Sequence, residues 1–74
     1  MTEKEVLKII KKAVWDGRTE LNLRGKGIRS LPGEIGKLTE LTRLDLRENE
    51  LTSLPAELGK LTELMGFNVF GNPL

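Results

Sequence analysis

The stretch LTRLDLRENEL, residues 41–51, decides the fold of this chain. It places leucines at its first, fourth, sixth and eleventh positions and an asparagine at its ninth, a spacing that suits a short strand running into an asparagine-stabilised corner. The pattern recurs upstream, where Leu21 and Leu23 match Leu44 and Leu46, and downstream in a shortened third copy. The period is about 23 residues, which predicts a repeat protein.

The segments between the predicted strands repeat as closely as the strands do. Residues 30–41 read SLPGEIGKLTEL and residues 53–64 read SLPAELGKLTEL. Pro32 fixes φ at the start of a short helical segment, and Glu34 lies in its first turn, where a carboxylate meets the positive end of a helix. We therefore expect neighbouring units to present matched surfaces to each other.

Residues 2–16 predict a helix with a clear start. Thr2 is the N-cap and Glu5, three residues later, completes a capping box, while Gly17 suits the left-handed position after the helix. Apolar residues recur at helical spacing on one face, namely Val6, Leu7, Ile9, Ile10, Ala13 and Val14. The other face carries lysines, namely Lys4, Lys8, Lys11 and Lys12.

A basic amphipathic helix of this kind can be a membrane-surface segment or a calmodulin-type target. We favour a helix that packs on the end of the repeat core, with Trp15 sealing the first repeat. This assigns residues 1–17 to an N-terminal capping helix and residues 18–74 to the repeats, two full units and a truncated third.

Composition restricts the function further. Twelve Lys and Arg nearly balance eleven Asp and Glu, and the chain has no Cys and no His. The overall charge gives no reason to expect a nucleic acid or a membrane as partner. The absence of Cys and His leaves no thiolate chemistry and no usual soft-metal site, so we expect no metal and no cofactor, and it favours a reducing, cytoplasmic setting.

With these motifs in view, the chain resembles the leucine-rich repeat family over about residues 19–74, and most closely its intracellular 23-residue class of bacterial, Roco-type and Ras-associated proteins. The resemblance implies an α/β solenoid with a short parallel sheet of about three strands, convex short helices or 3₁₀ turns, and protein recognition by the concave face. It assigns the structural turn asparagine to Asn49 and Asn72. Lys26 replaces that asparagine in the first unit, which leaves Gly25 and Gly27 to form the first corner through backbone freedom.

Strands stacked in register would align their outward residues in columns. Glu20 would then form an ion pair with Arg43 beside it, and Arg47 would lie near the aromatic ring of Phe70. As single residues, these charges are equally well explained as soluble strand positions. The candidate partner-binding residues of the concave face are Glu20, Asn22, Arg24, Arg43, Asp45, Arg47 and Asn68.

The third unit departs from the template in chemistry as well as in length. Met65 and Phe70 replace polar residues of the second unit, whereas Phe67 and Val69 fall on core positions. The last strand would leave one edge unpaired and would expose the apolar end of the core to water, namely Leu61, Leu64, Phe67, Val69 and Leu74. We therefore expect self-association, most simply as a two-fold homodimer, or as a higher oligomer, through Met65, Phe67, Val69, Phe70 and Leu74. The competing interpretation is a fragment or designed building block with no partner beyond itself.

We expect no enzymatic activity. The chain has no His or Cys to act as base or nucleophile and no Gly-rich phosphate loop. Glu34, Glu40, Glu57 and Glu63 recur at the 23-residue period, as convex surface residues would. The sequence thus favours a non-catalytic interaction or self-assembly module whose partner is itself, another protein, or both.

Overall fold

A computed structural model describes all residues, 1–74. One α-helix precedes three short strands, and a 3₁₀ helix follows each of the first two. The elements are α1 (Glu3–Asp16), β1 (Glu20–Asn22), a 3₁₀ helix (Gly33–Lys37), β2 (Arg43–Asp45), a second 3₁₀ helix (Ala56–Lys60) and β3 (Gly66–Asn68). Helix α1 is too short and too polar to cross a lipid bilayer.

The three strands form one parallel sheet in the order β1-β2-β3. Glu20 pairs with Arg43 and Arg43 with Gly66. Each strand residue therefore lies beside the residue 23 positions further along the chain. The predicted register is confirmed. Pro32 lies one residue before its 3₁₀ helix rather than inside it, with φ −69° and ψ 152°, and so directs the chain into the first turn.

Helix α1 begins and ends as predicted. The Thr2 hydroxyl accepts a hydrogen bond from the Glu5 N–H and the Glu5 carboxylate accepts one from the Thr2 N–H, while Gly17 adopts φ 64°. Val6, Ile10 and Ala13 are buried against the repeats. The helix therefore shares one hydrophobic core with the repeats.

The prediction for Trp15 is wrong. Its side chain is 89% exposed and seals nothing. Eleven residues separate it from Lys4, so at 3.6 residues per turn it falls on the lysine face, opposite to Ala13. The first repeat is covered instead by the smaller apolar residues of the helix.

Burial decreases toward the C-terminal unit. Leu44 of β2 is 1% exposed, whereas Phe67, its counterpart in β3, is 42% exposed. We expected Leu61 and Leu64 to lie open to water at this end, but Leu61 is buried and Leu64 is half-buried against the core. At this end of the chain, apolar exposure is thus confined to the outermost layer of the third unit.

The corners between units are held by two asparagine side chains. Asn49 is buried and its amide makes five hydrogen bonds of 2.8 to 3.2 Å. The Asn49 partners are the N–H groups of Lys26 and Ile28 and the carbonyl groups of Leu23, Leu46 and Arg47. Asn72 makes three bonds of the same kind one unit later.

The expectation that Gly25 and Gly27 form the first corner alone is wrong. Both glycines do adopt φ 65°, but the Asn49 amide oxygen also binds the corner from the second unit. The asparagine of each unit bonds the corner before it. No such corner precedes the first unit, so Lys26 needs no amide, and its carbonyl instead accepts a bond from the Met1 amine.

We expect Asn49→Ala to destabilise the chain by about 3 kcal/mol or more, because each buried backbone group that loses its partner costs roughly 1–3 kcal/mol. Asn72→Ala is the matched control, since it removes fewer bonds from a less buried site. Urea unfolding followed by circular dichroism measures both changes. A larger loss of stability for Asn72→Ala than for Asn49→Ala would contradict the greater role given to Asn49.

Candidate functional site

A shallow open depression of about 710 Å³ lies over the outward side of the sheet, which we call the sheet face. Strand alternation produces it, because Leu21 and Leu44 turn into the core while their neighbours turn outward. Six of the predicted partner-binding residues line the depression, whereas Arg24 does not. The six are Glu20, Asn22, Arg43, Asp45, Arg47 and Asn68.

The middle column of the sheet face has a structural role that sequence reasoning missed. Asn22, Asp45 and Asn68 each accept a hydrogen bond of 3.0 Å from the backbone N–H two residues further on. Each is also the last residue of its strand. The signal was an Asn or Asp at one position in all three units, where a side-chain oxygen can end a strand by forming an Asx turn.

Asp45 forms a second interaction that further restricts the site. The Arg47 guanidinium donates two hydrogen bonds to the Asp45 carboxylate, from Nε at 2.9 Å and from Nη2 at 2.6 Å. These bonds hold the pKa of Asp45 at about 2 and raise the pKa of Arg47. Both side chains are therefore occupied with each other rather than poised for a partner.

The ion pair expected between Glu20 and Arg43 does not form, since the salt bridges of the chain are Lys12–Asp16 and Asp45–Arg47. The Arg43 side chain instead lies over Gly66, where an added Cβ would meet its Cγ at 3.1 Å. Gly66 thus provides the space that Arg43 occupies. The Arg43 guanidinium has no carboxylate within ion-pair distance.

Arg18 is a further residue of the site that sequence reasoning did not identify. It precedes β1 and lines the same depression as Arg43, also without a carboxylate partner. Glu20 also lines the depression without an ion-pair partner, so the unpaired groups of the sheet face are two guanidinium groups and one carboxylate, a small excess of positive charge. The structure gathers no three His, Cys, Asp or Glu side chains that could hold a metal ion.

The second candidate site consists of the exposed apolar side chains of the third unit, Met65, Phe67, Phe70 and Leu74, which we call the end surface. Met65 and Phe67 also line the depression, so the end surface adjoins the sheet face. Met65 is 86% and Phe70 75% exposed. Val69, which we predicted as part of it, is half-buried and packs on the core. Phe67 occupies the strand position of the buried Leu44, as predicted, but its side chain is 42% exposed. The reason is that β3 has a neighbouring strand on one side only.

Comparison with known protein families now adds to these observations. The model of the family described as leucine rich repeat matches residues 19–74. The chain belongs to the leucine-rich repeat family. Domains of this family generally bind other proteins and are typically not enzymes. A search of curated proteins gave no significant match. The assignment to the intracellular bacterial, Roco-type or Ras-associated class stays a prediction.

The Asp45 side chain allows a matched pair of variants. Asp45→Asn keeps a side-chain oxygen that can accept from the Arg47 N–H, and so keeps the turn that Asn22 and Asn68 form in their own units. It removes only the ion pair. We expect it to cost up to about 1 kcal/mol at neutral pH. Asp45→Ala also loses the Asx turn and should cost about 1 kcal/mol more. Urea unfolding of both variants measures the difference.

The same variants test the pKa of Asp45. Because its pKa is lowered in the folded chain to about 2, the stabilisation is complete above the unfolded pKa near 4 and is lost as the pH falls toward 2. The stability of Asp45→Asn should fall less than that of the parent over this interval. The free energy of unfolding, measured across this pH range, checks this. An equal fall for the parent and for Asp45→Asn would contradict the lowered pKa of Asp45.

Proposed function

We propose that this chain is a non-catalytic protein-interaction module that associates with a second copy of itself through the end surface. The observation that carries the proposal is the cluster of exposed apolar side chains on the third unit, Met65, Phe67, Phe70 and Leu74. Adjacent exposed apolar residues on a small domain are typical of a protein–protein contact. Membership of the leucine-rich repeat family supports the general function.

The backbone of the same region supports the contact. Strand β3 is one of the two edge strands of the sheet and pairs only with β2, as β1 does at the end that α1 covers. An unpaired strand edge can add a strand from another chain through main-chain hydrogen bonds. A two-fold axis between two copies would pair the β3 strands antiparallel and bring both end surfaces together.

This arrangement also bears on the sheet face. A two-fold axis perpendicular to the sheet leaves the two sheet faces on the same side, as one continuous six-stranded surface. Three short strands alone offer less than the ~800 Å² per partner of a standard interface. The doubled face comes closer to that size, with Arg18 and Arg43 as the groups that a further, acidic protein partner would meet.

The test uses Phe70→Asp, which places a charge within the end surface. Truncating a central aromatic residue of an interface costs about 2 kcal/mol or more. A two-fold dimer loses the residue twice, so the dimer dissociation constant should rise by at least about 30-fold and by up to roughly 1,000-fold. Trp15→Asp is the matched control, because it replaces an aromatic residue that is at least as exposed as Phe70 and lies near the other end of the chain. Sedimentation equilibrium over a wide concentration range gives the constants, and circular dichroism checks the fold.

A parent chain that stays monomeric at high micromolar concentration would overturn the proposed self-association. An equal effect of Trp15→Asp would overturn the two-fold arrangement, because the end surface of one copy would then stack head-to-tail on α1 of the next. If the assembly buries the sheet face, a building block whose sole activity is assembly becomes the better description.

A further inference from the structure

The outer face of α1 carries a stripe of charge that the core does not use. Lys4, Lys8, Lys11 and Trp15 follow one another at intervals of four, three and four residues, so they lie on a single line along the helix. Lys12 flanks this line. All five side chains are exposed, and we call them together the lysine stripe.

The carboxylates of α1 neutralise only one lysine of this stripe, Lys12. Glu3 accepts a hydrogen bond from the Ser30 hydroxyl, and Glu5 belongs to the capping box. Asp16 pairs with Lys12 at 3.5 Å. The ammonium groups of Lys4, Lys8 and Lys11 have no carboxylate within 4.0 Å. The near-balance of charge over the whole chain therefore hides a local excess of positive charge.

Trp15 is the independent second observation. It is the single tryptophan of the chain, it is 89% exposed, and it lies on the same line as the lysines. Val14, also exposed, lies beside it. A large aromatic side chain in water at the end of a lysine line has no role in the fold. Tryptophan and lysine together are typical of surfaces that meet the headgroup region of a membrane.

We propose that the lysine stripe docks the chain on an anionic lipid bilayer, with α1 parallel to the membrane plane and the Trp15 indole in the headgroup region. The face is convex, and 14 residues of helix are about 21 Å long. Such a strip is too small for a standard protein interface of ~800 Å² per partner. A bilayer requires no groove and supplies a continuous plane of negative charge.

The other occupants fit the stripe less well. Binding of single-stranded nucleic acid relies on several aromatic side chains on which bases stack, and the stripe has one. The apolar face of α1 is buried in the core, so the helix cannot insert deeply. Binding should therefore be peripheral, reversible and sensitive to salt. The end surface lies at the other end of the sheet and stays free, so this inference does not depend on self-association.

The test mixes the full chain with unilamellar vesicles of phosphatidylcholine alone or with phosphatidylserine added. Because Trp15 is the only tryptophan, its emission reports directly on the proposed contact. We expect a blue shift and cosedimentation with the phosphatidylserine vesicles and neither with phosphatidylcholine alone. Added sodium chloride should reverse both, because the attraction is electrostatic and is screened by salt.

Three variants identify the surface. A lysine near an anionic membrane contributes about fivefold to binding, so Lys8→Glu should weaken cosedimentation at least fivefold and Lys8→Glu/Lys11→Glu at least about 25-fold. Trp15→Ala should weaken cosedimentation while the sensitivity to salt remains. Lys60→Glu is the control, an equal charge reversal of an exposed lysine on the second 3₁₀ helix, and should change binding less than twofold.

Three results would overturn the proposal. The first is equal binding to both kinds of vesicle. The second is equal weakening by Lys60→Glu and Lys8→Glu, which would show that net charge alone governs binding. The third is a blue shift of Trp15 with polyglutamate or with duplex DNA but not with phosphatidylserine vesicles, which would assign the stripe to an acidic polymer instead.

Discussion

The side-chain amide of Asn49 joins the first and second units at the corner where their strands end, beside the β1–β2 pairing. Its oxygen accepts from the backbone of the preceding corner and its nitrogen donates to the carbonyl groups at the ends of two neighbouring strands. Asn72 repeats three of these contacts between the second and third units. A buried corner without these bonds would leave unpaired backbone groups at high cost. The asparagines thereby fix the 23-residue offset that aligns the strands and their outward columns.

Packing is uneven along this array. Helix α1 covers the first unit with Val6 and Ile10, so the core is closed to solvent at that end. At the other end β3 has one neighbour and Phe67 stays partly in water. Two surfaces result from the same architecture: a polar sheet face with free guanidinium groups and an apolar end surface. The proposed self-association would supply the missing neighbour and enlarge the sheet face in one step.

The repeated leucines predicted the 23-residue repeat and the strand register, and the capping box predicted the start of α1, because these signals are local or regularly spaced. The parallel-sheet solenoid was implied by the resemblance to the leucine-rich repeat family. Contacts that depend on three-dimensional detail were not accessible in the same way. Arg47 bonds Asp45 two residues away rather than a neighbouring strand, and Arg43 lies over Gly66 because that position has no side chain. Trp15 was misplaced because its size suggested burial, whereas its helical position decides its exposure.

The proposed dimer completes β3 and the end surface with a second copy of the chain. Amide hydrogen exchange at low and high protein concentration measures this contact residue by residue. Protection of residues 66–70 should increase with concentration, and by more than the protection of β1, residues 20–22, which gains only through the overall stabilisation of the dimer. Protection of residues 66–70 that does not depend on concentration, or an equal increase in β1, would contradict the proposed contact.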